Sequence, residues 1–232
     1  ESYATRFQSD QAVDGERIDL RPSVTAVFRP GSWLELSPEI ALSQRFYNSD
    51  ASDDEVTVPE YAVTLSTRLG KVFPFERWGM HKIKHSIEPS ISYLYIPDVD
   101  QGNLPFFDLD DRLVEQDRVA YDLVNRFTAK MHTGQAPPVY REIVNLRLSQ
   151  SYDINEAQQD DLDDQEPFSD LRVELAVRAT DRFHLELDSR IDVYDFFSFN
   201  WLEVGAGFAD GHGNRLQANY NYRNESIEDT DL

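Results

Sequence analysis

The chain has 232 residues, of which 43 are Asp or Glu and 22 are Lys or Arg, so its formal net charge is −21. This balance argues against a nucleic-acid partner, because phosphate backbones require a basic surface. The absence of cysteine within these residues excludes thiolate metal sites, a cysteine nucleophile and internal disulfide bonds.

Apolar and polar residues alternate along almost the whole chain, with the period of a β-strand. In residues 16–28, Ile18 and Leu20 share one predicted face, and Arg17 and Asp19 share the other. The same alternation follows, in chain order, in residues 33–47, 61–69, 85–95, 118–131, 142–154, 170–179, 183–193 and 214–224. We predict about ten or eleven strands, many of them about 12 to 15 residues long.

The predicted connections tend to alternate between long polar loops and tight turns. The long loops are expected at residues 9–16, 48–55, 97–117 and 155–168, and the turns near residues 30–31, 70–80, 134–138 and 180–181. Residues 194–201 fit either a strand or a short loop. This asymmetry, together with strands long enough to cross a bilayer, favours an antiparallel up-and-down transmembrane β-barrel. A large soluble β-sandwich or soluble barrel is the alternative.

Metal-binding patterns receive little support from the sequence. His81 and His85 would lie about 13 Å apart along a strand, too far for one ion. The segment that begins DVDQGN has Asn103 at its sixth position and Leu109 at its twelfth, which excludes an EF-hand. Weak binding of divalent cations by the acidic loops stays open beside the simpler interpretation of solvated loop charge.

Nothing in the sequence indicates catalysis or a cofactor. No nucleophile elbow, P-loop or dinucleotide fingerprint is present, and no two of the many carboxylates stand out as an acid–base pair. We therefore expect a protein that is not an enzyme. If the strands form a wide barrel, its lumen is expected to be lined by charged residues of both signs: Lys82, Lys84, Glu88, Arg126, Lys130 and Arg147.

Residues 87–112, IEPSISYLYIPDVDQGNLPFFDLDDR, resemble the LPS-assembly outer-membrane protein family (LptD, also called OstA). The family pattern is a strand that runs into a loop of the form D-Q-x-x-[LI]-P-x-F-D. The matching residues are Glu88, Pro89, Tyr93, Tyr95, Pro97, Asp100, Gln101, Leu104, Pro105, Phe107 and Asp108. Residues 214–226 are similar to a family strand of the form L-x-x-N-Y-x-Y.

The resemblance implies a fold, a location and partners. Family members combine a periplasmic jellyroll with a barrel of about 26 strands, plugged by the lipoprotein LptE. They receive lipopolysaccharide from the bridge protein LptA and insert it into the outer leaflet of the outer membrane of Gram-negative bacteria. By this resemblance residues 1–232 are an internal part of the barrel, without the jellyroll, in contact with outer-membrane lipid.

The resemblance also implies a role for the loop that carries the family pattern. Its residues Pro97, Asp100, Gln101, Leu104, Pro105, Phe107 and Asp108 are expected to have a structural or plugging role. A different outer-membrane barrel, such as a porin or uptake channel, and a soluble β-rich carbohydrate-binding or hydrolytic domain remain the alternative functions.

Overall fold

A computed structural model of the protein describes residues 2–7, 15–49, 53–105, 107, 112–131, 137–159, 165–195 and 197–224. The strands are β1 (Ser2–Phe7), β2 (Gly15–Leu20), β3 (Ser23–Thr25), β4 (Leu34–Ser49), β5 (Asp53–Thr67), β6 (Leu69–Arg77), β7 (Met80–Ile96), β8 (Gln116–Met131), β9 (Val139–Asp153), β10 (Leu171–Thr180), β11 (Phe183–Ile191), β12 (Phe199–Ala209) and β13 (Arg215–Arg223). A single turn of 3-10 helix, Glu156–Gln158, follows β9.

All strands belong to one antiparallel sheet with the order β1-β2-β4-β5-β7-β8-β9-β10-β11-β12-β13. The short strands β3 and β6 pair with β4 and β7 beside this path. Apart from β3 and β6, the strands follow one another in the sheet in chain order, and the predicted all-β, antiparallel up-and-down fold is confirmed. Within the described residues β1 and β13 form two open edges, so the sheet does not close on itself.

The β5 and β6 strands form one long run that is interrupted at Arg68. β5 pairs with residues 90–95 of β7, and β6 pairs with residues 82–87. Between these two blocks lies Pro89, which lacks an amide donor and disfavours a continuous central strand. β7 therefore pairs with β5 on one side of Pro89 and with β6 on the other side.

Two predicted connections are shorter in the structure than the sequence suggested. The turn expected over residues 70–80 is mostly strand β6, and the reversal needs only Trp78 and Gly79, whose φ angles are 54° and 75°. Two successive positive φ angles are typical of a type I′ hairpin turn. The loop expected over residues 48–55 is also wrong in extent, since β4 continues to Ser49 and β5 begins at Asp53.

The remaining connections follow the predicted asymmetry between the two ends of the sheet. Residues 97–115 and 154–170 connect strands at one end, here called the loop end. The opposite turn end carries the reversals at residues 78–79, 181–182 and 210–214. The ambiguous segment around residue 197 is a loop-end connection, because β12 begins only at Phe199.

Asp210 organises the turn between β12 and β13. Its carboxylate accepts hydrogen bonds from the Asn214 side chain at 2.6 Å, the Asn214 backbone amide at 2.9 Å and the His212 backbone amide at 2.8 Å. These bonds stabilise the charged carboxylate and lower the pKa of Asp210 below its ordinary value. The contribution of this turn to stability is therefore present above the unfolded-state pKa and is lost as the pH falls through the lower folded-state pKa.

Candidate functional site: a charged face and the loop that packs on it

The register of the strands separates the side chains into two faces of different chemistry. From β7 to β8, Lys84 is opposite Thr128, Ser86 is opposite Arg126, and Ser90 is opposite Asp122. From β9 to β11, Arg147 is opposite Glu174, and Glu174 is opposite Asp188. These residues lie on one continuous side of the sheet, which we call the charged face.

The opposite side, the apolar face, exposes large hydrophobic residues from one edge of the sheet to the other. They alternate with the charged-face residues along the same strands. Those exposed by more than a third include Ile18, Leu20, Val24, Ile40, Phe46, Tyr61, Leu65, Ile91, Tyr121, Phe208, Leu216, Tyr220 and Tyr222. An exposed apolar surface of this extent indicates contact with lipid or with protein rather than with water.

Ion pairs link neighbouring strands across the charged face. Arg147 pairs with Asp122 at 2.6 Å on one side and with Glu174 at 3.9 Å on the other. Arg172 continues the series through Glu174 at 3.1 Å and Asp188 at 2.8 Å. The pairs join β8, β9, β10 and β11 in series, so opposite charges compensate one another along this part of the face.

A second and more buried group of charges lies on β2 and β4. The Arg17 side chain is 2% exposed and donates to Asp19 at 2.8 Å, and Asp19 also pairs with Arg45 at 2.8 Å. A buried charge is costly unless it is paired, and Asp19 lies between two guanidinium groups. The pairing fixes the position of β2 against β4.

The charged face is concave over its second half. A cavity of about 710 Å³ is lined by side chains from strands β8 to β13, including Arg126, Glu142, Arg147, Glu174, Glu186 and Asp188. Residues on six successive strands can line one cavity only if the sheet curves around it. The charged face is therefore the inner surface of the curved sheet.

The loop that carries the family pattern packs on the charged face at the loop end. We call residues 97–115 the motif loop. Tyr47 and Val58, which are 2% and 0% exposed, form a small core with Val56 on the charged face. The motif loop covers this core with Val99, Leu104, Phe107 and Leu113, together with Ile96 from the end of β7.

Gln101 fastens the two ends of the motif loop to each other. Its side-chain amide donates to the Leu113 carbonyl at 2.8 Å, and its side-chain carbonyl accepts from the Leu113 amide at 2.9 Å. The Gln101 backbone carbonyl accepts from Arg112 at 2.6 Å and from the Leu104 amide at 3.2 Å. Asp100 caps the turn by accepting from the Gly102 amide at 2.9 Å.

The contact between the motif loop and β2 depends on a glycine. A Cβ atom at Gly15 would overlap the ring of Phe107 and would lie 2.7 Å from the Asn48 backbone carbonyl. Phe107 also packs against Tyr47, with 6.1 Å between the ring centroids. Gly15 therefore provides the space in which the Phe107 side chain lies.

The predicted site residues form two separate groups in the structure. Lys82, Lys84, Glu88, Arg126, Lys130 and Arg147 lie on the charged face, on β7, β8 and β9. Leu104 and Phe107 pack on the small core, and Asp100 and Gln101 form the loop hydrogen bonds, while Pro97 and Pro105 lie in the same loop. Asp108 lies outside the described residues.

Sequence reasoning missed the residues beneath the motif loop. Tyr47, Val56 and Val58 are apolar side chains on the face that is mostly polar. The signal was available, since Val56 and Val58 have the same parity along the strand as Ala62, Thr64 and Ser66. Apolar residues in a polar row indicate that something covers them.

Metal-binding clusters and membrane-spanning helices were both sought among the residues that the structure describes. Among the described residues, no group of three or more His, Asp or Glu side chains is placed to hold a metal ion. The acidic stretch at residues 160–164, and Asp110 and Asp111, lie outside the described residues. No helix in the described part of the chain is long and apolar enough to span a membrane.

Sequence comparisons identify relatives of this chain among known proteins. The family model described as LptD, LPS transport system D, matches residues 1–231. The LPS-assembly protein LptD of Photobacterium profundum is 26% identical over 98% of this chain, and that of Thiobacillus denitrificans is 24% identical over 100%. The LPS-assembly protein LptD of Methylococcus capsulatus is 26% identical over 50% of the chain.

These relatives are much longer than the chain. The matched region is 32% of the Photobacterium protein, 34% of the Thiobacillus protein and 13% of the Methylococcus protein. The family match nevertheless covers nearly every residue of this chain, including the two-faced sheet and the motif loop. The chain belongs to the LptD family of the LPS transport system.

Proposed function

We propose that this chain is part of a translocon that inserts lipopolysaccharide into the outer leaflet of the outer membrane of a Gram-negative bacterium. The observation that carries the proposal is the family match over residues 1–231. The function is passage of an amphipathic glycolipid, and it needs no bond chemistry in the chain.

The two faces of the sheet support a location in the outer membrane. The apolar face exposes Ile40, Ile91 and Leu216, which are suited to contact with acyl chains. The charged face is concave and polar, as expected of a barrel lumen in contact with water and with sugar or phosphate groups. In this arrangement the loop end is outside the cell and the turn end is in the periplasm.

The open edges support a larger barrel. An unpaired edge strand exposes backbone amides and carbonyls, which cannot stay unsatisfied in lipid. The chain spans about a third or less of the relatives named above. We infer that further strands of the same polypeptide complete the barrel, and that residues 1–232 are a single partial barrel domain.

The motif loop supports a plugging or assembly role at the outer mouth. It packs inward, on the charged face, and Leu104 and Phe107 cover a dry core there. A plug lipoprotein resembling LptE and a periplasmic bridge protein resembling LptA are the partners that we propose for the full-length parent protein.

Depletion of the full-length parent tests the proposed function. We expect less newly made lipopolysaccharide at the cell surface and photo-crosslinks between labelled lipopolysaccharide and the charged face. Sedimentation of the parent with soluble protein would contradict the membrane location. Ion conductance by the purified parent, with surface lipopolysaccharide unchanged on depletion, would favour a porin or uptake channel instead.

Removal of residues 98–111 tests the role of the motif loop. We expect the shortened parent to assemble poorly or to lose its plug, because Tyr47 and Val58 would be uncovered. Normal assembly together with normal display of lipopolysaccharide would contradict that role.

A further inference from the structure

Three lysines form a cationic cluster on the charged face near the turn end. Lys82 on β7 is directly opposite Lys130 on β8, and Lys84 follows two residues later on the same face of β7. We call these three residues the lysine cluster. Directly opposed side chains of an antiparallel pair have Cβ atoms about 4.5 to 5.5 Å apart, and like charges at such positions are destabilising.

The cluster differs from the rest of this part of the face in having no carboxylate partner. Within the described residues none of its lysines forms an ion pair, whereas Arg126, Arg147 and Arg172 each have acidic neighbours. The Lys130 ammonium group lies over the ring of Tyr140, 6.0 Å from its centroid. In a chain with almost twice as many acids as bases, three adjacent cations without an acid require an explanation.

The nearby acids do not neutralise the lysine cluster. Glu142 accepts from Asn145 at 2.9 Å and pairs with Arg126 at 3.9 Å. Glu88 pairs with Arg68 at 2.9 Å. Glu76 on β6 forms no ion pair among the described residues. The three ammonium groups therefore remain available to an external anion.

Polar groups beside the lysines point to the same kind of ligand. The Nε atom of Arg126 is buried and has no hydrogen-bond partner among the described residues, because the carboxylates of Glu88 and Glu142 lie 4.0 and 3.9 Å from the guanidinium group. Ser86, which is 7% exposed, lies opposite Arg126, and Thr128 lies opposite Lys84. The rest of the Arg126 guanidinium group is available to a ligand, since the side chain is 43% exposed.

We propose that the lysine cluster, with Arg126, Ser86 and Thr128, binds a phosphate group on the inner surface of the sheet. Ammonium, guanidinium and hydroxyl groups are the donors that phosphate oxygens accept from. Since Arg126 also lines the cavity of about 710 Å³, a larger ligand can bind with its phosphate at the cluster and its polar body in the cavity. This inference rests on the proposed function, in which the ligand is a phosphorylated glycolipid that enters from the turn end.

Lysine footprinting of the full-length parent in detergent micelles tests the site without any mutation. Amine-reactive labelling is measured by mass spectrometry with phosphorylated lipopolysaccharide, with dephosphorylated lipopolysaccharide, and with inorganic pyrophosphate. Lys71 is the internal control, because it lies on the same hairpin but on the apolar face, opposite His85. We expect phosphorylated lipopolysaccharide to protect Lys82, Lys84 and Lys130 several-fold relative to Lys71, and the dephosphorylated form not to protect them.

Protection by pyrophosphate alone would support the anion site but assign it to free phosphate. Equal protection by both forms of lipopolysaccharide, or none by any probe, would overturn the site. If lipopolysaccharide crosslinks elsewhere on the parent while the lysines stay unprotected, the proposed function survives and only this inference fails.

A variant pair provides the second test. The triple change Lys82→Gln, Lys84→Gln and Lys130→Gln should weaken binding of phosphorylated lipopolysaccharide by at least about tenfold, since several charge-assisted hydrogen bonds are lost. Lys71→Gln, the matched control, should leave it unchanged. Equal losses in both variants, or an equal loss for the dephosphorylated ligand, would refute a phosphate site.

Discussion

Gln101 replaces a backbone peptide group in the motif loop. Its amide pairs with both the amide and the carbonyl of Leu113, as a neighbouring strand would. A loop as long as residues 97–115 would otherwise leave these groups to water. The side chain thereby converts an open loop into a closed one whose apolar residues lie on the sheet.

Replacement of Gln101 by Ala should loosen the motif loop. Both hydrogen bonds to Leu113 are lost, and a free-energy loss of about 1 to 3 kcal/mol is expected for the closed loop. Hydrogen exchange at the Leu113 amide in the folded parent measures the effect. Asn103→Ala, an exposed position in the same loop, should leave exchange unchanged; equal acceleration in both variants would show that Gln101 has no special role.

At the residue scale, the sequence predicts the motif loop more easily than the small core of Tyr47, Val56 and Val58 that the loop covers. Asp100 and Gln101 belong to a recognisable pattern, so a role in loop structure could be expected. The exact partner, Leu113, could not, because hydrogen bonds within a loop depend on how the chain returns. Val56 and Val58 could have been noticed from their parity, but their cover is determined by tertiary packing.

The β6–β7 hairpin depends on the backbone conformation of its two-residue turn. Gly79 has a φ angle of 75°, a left-handed conformation that costs a residue with a Cβ atom about 1 kcal/mol. Gly79→Ala should therefore reduce folding of the hairpin, observed as a smaller fraction of heat-modifiable, folded parent on gels. Gly70→Ala is the control on the same hairpin, since a Cβ there meets only ordinary contacts of 3.4 Å or more. Identical folded fractions for the two variants would contradict the turn assignment.

The contact of the motif loop with β2 yields a prediction about a second glycine. Gly15→Ala should expel the Phe107 ring, at a cost of about 1 to 3 kcal/mol for overpacking. A cysteine placed at Leu104 should then react faster with a maleimide, and the reaction is measured on the peptide that contains this position. Gly102→Ala is the control, because a Cβ there meets only Asp100, at 3.3 Å. No change in reactivity with Gly15→Ala would mean that the loop does not depend on this space.

Element boundaries were predictable where alternation is regular and not where it fails. β8 and β9 follow the period of two and appear as predicted, although β8, with 16 residues, is longer than expected. The turn predicted near residues 70–80 is instead largely strand β6, although Gly70 and Pro74 are residue types that disfavour strands. Pairing with β7 overrides these local preferences, as is common for strands.

At the scale of the whole molecule, the two faces of one strand require side chains of opposite polarity. Ile91→Lys places a charge on the apolar face, where contact with lipid would cost about 2 to 4 kcal/mol near the bilayer centre. Ser92→Lys adds the same charge one residue later, on the charged face opposite Thr64. We expect Ile91→Lys alone to lower the yield of parent folded into lipid vesicles. Equal yields would be inconsistent with lipid on the apolar face.

The sheet order was predictable because up-and-down topology needs no choice of partner. Its curvature was not, since curvature depends on how neighbouring strands twist and stagger against one another. The charged residues were expected to share one surface from their parity alone. The register of β7 against β8 decides which of these residues form ion pairs. It also decides which lysines lie next to one another without an acidic partner.

The strictly sequential pairing also bears on how such a sheet can be built. Every described strand pairs with the next strand in the chain or with the one after it, so contacts are local and each new hairpin can add to the one before it. A growing sheet of this kind has two free margins at every stage, however many strands it contains. Each stage of assembly therefore needs protection against wrong pairing, either from features of the edge strand itself or from another protein.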